Sequence, residues 1–212
     1  MEQISVLNGE NKWVTIARVN DVILAVSDSE TRELMRLGRG VYQHIFVPVF
    51  DREKRMDSFA GLNVEHAKNG KELDYLVVLS ATGVVARTQV FVSALGGIYN
   101  MGDGVWAVPT WLRDGPESFV RGFGARKWHV ELEQYITSAL SYNGFLYLPM
   151  SRGSAYVINA QGKIVTYVPP KNSLASQPHG RVYVNSEGVF VEAGNRSFQF
   201  NPETGTLIRE VW

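Results

Sequence analysis

The chain has 212 residues, 21 basic and 21 acidic side chains, and no cysteine. Balanced charge gives no reason to expect nucleic acid or an acidic membrane as partner, and the missing thiols exclude disulfides and thiolate metal sites. The first seven residues, Met1 to Leu7, lack the basic and apolar regions of a secretory signal, and no apolar run approaches the roughly 20 residues of a membrane span, so synthesis in the cytoplasm without a signal peptide and no membrane insertion are expected.

Along the chain, runs of period two rich in Val, Ile, Tyr, Phe and Trp are broken at short intervals by Gly, Asn and Asp, the pattern of short strands. The first group of four is Ile4–Leu7, Trp13–Val19, Val22–Ser27 and Glu33–Leu37. The second is Val41–Phe50, Leu62–Ala67, Tyr75–Leu79 and Val84–Val90, and the third Ile98–Met101, Val105–Thr110, Phe119–Phe123 and Trp128–Glu133. The fourth is Ser138–Tyr142, Phe145–Met150, Ser154–Ala160 and Ile164–Val168, and the last Arg181–Ser186, Val189–Ala193, Ser197–Phe200 and Leu207–Trp212. Asn143-Gly144, Glu187-Gly188, Gly102-Asp103-Gly104 and Asn8-Gly9 fall between the first two strands of their groups, where Gly and Asn supply positive φ cheaply. In the last three groups matching turns recur roughly every 40–47 residues, the spacing of four-stranded propeller blades. The expectation is an all-β fold: a small β-propeller of about five four-stranded antiparallel blades, a single domain over the whole chain.

The segment Tyr142-Asn-Gly-Phe-Leu-Tyr-Leu148, followed by Ala155-Tyr-Val-Ile-Asn-Ala-Gln-Gly-Lys163, resembles the repeat of quinoprotein-type (PQQ-like) β-propellers. Val182-Tyr-Val184 and Asn201-Pro-Glu-Thr-Gly205 are similar to it too. The resemblance implies antiparallel blades around a central channel. It does not imply a quinone, since many such propellers bind none.

The innermost strand of each group contains no Asp or Glu. Glycoside hydrolysis needs two carboxylates facing across the bond, so a hydrolase at the channel mouth is disfavoured. The four histidines, His44, His66, His129 and His179, have no metal-ligand spacing. No metal and no cofactor is expected. Loops between second and third strands, and between groups, share one face, and there Arg39, Lys68, Asn69, Lys71, Arg113, Arg152, Lys171, Asn195 and Arg196 outnumber Asp21, Glu72, Asp114 and Glu117. The loop Thr110 to Pro116 sets Trp111 beside Arg113 and Asp114, a hot-spot composition. The stiff connection from Pro169 to Gly180 carries His179. Candidate binding residues are therefore Trp111, Arg113, Asp114, Arg152, Arg196 and His179. The function expected is non-enzymatic docking of a protein partner or a second copy, as in a subunit of a phage tail or virion. The rival is a lectin-like glycan binder stacking sugars on Trp111, Tyr99, Trp106 or Tyr142, but its loops should then repeat from blade to blade.

Overall fold

A computed structural model of the protein describes residues 2–37, 41–50, 58–68, 71–90, 97–111, 118–171 and 179–211. These form twenty strands, and no helix occurs among the described residues. They fall into two compact units, Met1–Val92 and Ser93–Trp212.

The first unit holds β1 (Gln3–Leu7), β2 (Trp13–Val19), β3 (Val22–Val26) and β4 (Thr31–Arg36), then β5 (Val41–Phe50), β6 (Phe59–Lys68), β7 (Lys71–Ser80) and β8 (Gly83–Val90). The second holds β9 (Ile98–Asn100), β10 (Val105–Trp111), β11 (Ser118–Gly124) and β12 (Trp128–Leu132); β13 (Leu140–Tyr142), β14 (Phe145–Pro149), β15 (Ala155–Asn159) and β16 (Ile164–Val168); and β17 (Gly180–Asn185), β18 (Gly188–Ala193), β19 (Arg196–Phe200) and β20 (Leu207–Val211). Each set of four pairs in sequence order, antiparallel throughout. The expected five four-stranded blades are present. In the second blade the strands run longer than the alternation suggests. Glu65 pairs with Asp74 and Lys68 with Lys71, so Lys68, Lys71 and Glu72 belong to strands rather than to a rim loop. Charged ends hide this ladder from a reading based on hydrophobic period.

Blades bury their apolar faces against one another. In the first unit Val6, Ile16, Ile23 and Leu37 pack on Leu62, Val64, Val77 and Leu79. In the second Tyr147, Val157 and Val168 pack on Val189, Val191, Phe198 and Phe200. Each such side chain contributes about 1.5–3 kcal/mol when fully buried.

A second device joins neighbouring blades. A side chain on the outer strand of one blade donates to a carbonyl in the last hairpin turn of the next: Arg32 to Ala81 at 2.8 Å, Trp128 to Ala160 at 3.1 Å, and Thr166 to Gly205 at 2.8 Å. A guanidinium, an indole and a hydroxyl make the same tie. The outer strands also share a defect. The registers skip Leu34, Val85, Val165 and Ile208, one extra residue in each of four outer strands. Such bulges twist an exposed edge away from foreign strands.

Among the described residues, five turns at one end of the blades are self-capped. The Asn8, Asn100, Asn159, Asn185 and Asn201 side-chain oxygens each accept a backbone N–H two residues on, the Asx turn that spares such turns unsatisfied donors. Gly144 and Gly188 adopt the positive φ expected of them, 75° and 134°. In the first blade Asn11, not Gly9, takes the left-handed conformation, at 58°.

Candidate functional site

The opposite end of the second unit is built differently. Its hairpin connections and the segments between blades are joined by side chains reaching across sequence. Ser118 is buried, and its hydroxyl accepts the Ile136 N–H at 3.2 Å. The buried Gln134 carboxamide oxygen accepts the Arg152 N–H at 3.2 Å and the Ser154 hydroxyl at 2.9 Å. The Ser151 N–H reaches the Tyr135 carbonyl at 2.9 Å. A buried amide with its oxygen doubly used is a rigid joint, because releasing it leaves polar groups unpaired away from water.

Arg196, at the start of β19, makes the next joint. One Nη donates at 2.7 Å to both the Gly153 and Pro169 carbonyls, while Nε and the other Nη meet the two Glu210 oxygens at 3.0 and 3.2 Å. The guanidinium also lies 4.6 Å over the Phe198 ring. Only 10% of this side chain is exposed. Lys171 adds a third bond to Glu210 at 2.9 Å. The planar fork suits this geometry, one edge for a carboxylate and the other for two carbonyls. Beside it an open groove of about 370 Å³ is lined by Glu192, Asn195, Ser197, Glu210 and Val211.

The bonds from Arg196, and then from Lys171, hold the Glu210 carboxyl at about 2, below an ordinary 4.5. The unfolded chain therefore binds the proton more readily than the folded one. The clasp contributes in full above about pH 4.5 and is lost as pH falls toward 2. Thermal melts between about pH 5 and pH 2 should thus show a shallower acid decline for Glu210→Gln than for wild type, from a lower starting stability. Equal acid slopes would show that the carboxyl is not held by the clasp.

Of the residues expected to bind, three come together here. Arg152 is exposed in the turn before Gly153. Arg196 is the clasp. His179 is exposed, and its carbonyl accepts the Gly194 N–H at 3.2 Å. The backbone of Trp111 pairs with Ser118 at the root of the β10–β11 loop; the Trp111 side chain, Arg113 and Asp114 lie outside the described residues, as do the side chains of His44 and His66. His129 is exposed, 4.9 Å from the Phe119 ring and 3.7 Å from Glu131. Two of the sugar-stacking candidates are core residues. Trp106 is 5% exposed, and burial pushes the Tyr99 hydroxyl up to about 12.

Sequence reasoning missed Gln134, Tyr135 and Glu210. Tyr135 is 40% exposed on the connection between two blades, close to Arg152. In the fold residues 131 to 136 alternate between exposed and buried, but polar Gln134 is the buried one and Tyr135 the exposed one, so residue type alone points the wrong way. Gln134 and Glu210 find partners up to 20 and 39 residues away, and no local pattern announces such pairs.

No protein-family model matches the chain, and no curated protein matches it. Solved structures do. A eukaryotic initiation factor aligns over 98% of this chain and 53% of its own, at 10% identity and a TM-score of 0.50. BamB from Moraxella catarrhalis aligns over 99% and 63%, at 13% identity and 0.48. The β-propeller domain of Cps50 (Swd1) from Myceliophteria thermophila aligns over 100% and 73%, at 11% and 0.46. The chain spans 63%, 63% and 52% of three of the structures it matches. At these identities the likeness concerns the fold alone.

Proposed function

We propose that the chain is a non-enzymatic binding module that docks another protein through the rim formed by the β12–β13, β14–β15 and β18–β19 connections. The observation that carries this reading is the exposed pair Tyr135 and Arg152, set on a framework whose buried joints are Gln134, Ser118 and Arg196. Tyrosine and arginine concentrate interface energy, and a rigid base limits the entropy lost on association. Trp111, Arg113, Asp114 and His179 take part in binding in this proposal. Membership of a larger assembly, such as a phage tail or virion, is one form this docking takes.

Photo-cross-linking in the source cells tests it. A benzophenone residue at position 152 or 113 should capture the same single protein, or a second copy. One at position 161, on an Asx turn at the other end of the blade, should not. Capture that is indiscriminate, or equal from all three positions, would refute the rim. Read from position 113, Tyr135→Ala with Arg152→Ala should weaken capture at least tenfold, consistent with about 2 kcal/mol for a hot-spot pair, with thermal stability retained.

A further inference from the structure

The most exposed large apolar side chain among the described residues belongs to the first blade and plays no part in the rim. Trp13 opens β2 and is 60% exposed. Its cross-strand partner Leu7 leads into the β1–β2 turn, which the Asn8 side chain closes onto the Glu10 and Lys12 N–H groups. On the other side the register Thr15 to Val26 brings the exit of β3 alongside. The turn that follows is closed by the Ser27 N–H on the Glu30 carbonyl at 2.8 Å. In the strand register Trp13 therefore sits between two closed turns. Those turns carry exposed Glu10, Asp28 and Glu30 against one cation, Lys12, whose ammonium lies 2.8 Å from Glu10. Arg32, next along β4, turns its guanidinium to the Ala81 carbonyl. Even counting Arg32, whose hydrogen bond leaves its charge in place, the three carboxylates outnumber the two cations beside this exposed Trp13.

We propose that Trp13 and these turns are a docking point for a lysine- or arginine-bearing segment of a partner protein. The face of an indole attracts a cation through its quadrupole. Surrounding carboxylates draw a basic segment in and repel an acidic one. An apolar segment would cover the ring but bring no counter-charge to the carboxylates, so charge complementarity selects the basic one. The two turns fix the ring's surroundings before the partner arrives. This site is independent of the rim, being on the first blade at its Asx-turn end.

The probe is fluorescein-labelled hexalysine, followed by anisotropy at low and at physiological salt, with hexaglutamate as the opposite-charge control. The wild type should bind hexalysine and not hexaglutamate. Trp13→Ala should weaken binding about fivefold or more. A Glu10→Gln, Asp28→Asn, Glu30→Gln variant should weaken it further and flatten its salt dependence. Both variants should melt as wild type does, since the altered side chains are exposed. Hexalysine affinity unchanged by Trp13→Ala would overturn the proposal, as would failure of the wild type to bind at low salt. Cross-linking from position 152 should be unaffected by Trp13→Ala, which keeps failure here distinct from failure of the rim.

Discussion

Gly162→Ala is expected to destabilise the protein by about 3 kcal/mol, and Gly102→Ala by about 1. The two glycines have nearly the same backbone conformation, φ 77° and 79°. Each alanine therefore bears the same left-handed penalty, roughly 1–2 kcal/mol. They differ in what a Cβ would meet. At Gly102 nothing lies within 4 Å, whereas at Gly162 the Trp128 Cγ is 2.5 Å away. Trp128 is hemmed in from the other side too, because a Cβ at Gly122 would overlap its ring. Its indole N–H is committed to the Ala160 carbonyl, so it cannot move off without losing the tie between its blade and the next. Overpacking of this kind costs about 1–3 kcal/mol. For a chain of this size, about 3 kcal/mol is a fall of roughly 6–12 °C in Tm. Paired thermal melts check it. Equal shifts for the two variants would mean that Trp128 yields freely and the slot is not a joint.

Arg196→Ala should cost about 3–5 kcal/mol, and Arg196→Lys should recover little of it. Truncation leaves Glu210 with Lys171 alone, strips the Gly153 and Pro169 carbonyls of their donor, and removes the cation from the Phe198 face. A lysine restores one charge at one point. It cannot supply a fork to the carboxylate and two carbonyl bonds together. Denaturant melts of the three proteins check the order. A lysine variant as stable as wild type would show that charge alone holds the clasp. The same variants bear on docking, because Arg196 positions the turn that presents Arg152. Arg196→Ala should weaken cross-linking from position 152 more than from position 113.

Five blades were legible in the chain because strand alternation and turn chemistry are local. Asn143-Gly144 and Glu187-Gly188 mark hairpins by the backbone conformation that only a few residues adopt cheaply, and both glycines take it. The second blade's ladder extends past the hydrophobic pattern for the same reason, since charged Glu65, Lys68, Lys71 and Glu72 carry no hydrophobic period while they pair in it.

What lay out of reach is what joins blades and shapes the rim. The tie from an outer strand to the next blade's turn is made by Arg32, Trp128 and Thr166 in turn. A search for a repeating tryptophan misses it, because the geometry asks only for a donor at the right place. Gln134 and Glu210 are ordinary polar residues in sequence and become joints through partners far along the chain. Arg196, read in sequence as a docking cation, is a nearly enclosed clasp in the folded chain. The sequence by itself determined the strands, their turns and their grouping, since these depend on neighbours a few residues apart. Only the tertiary structure decided which charges are free to meet a partner, because burial and pairing are properties of positions brought together from different blades.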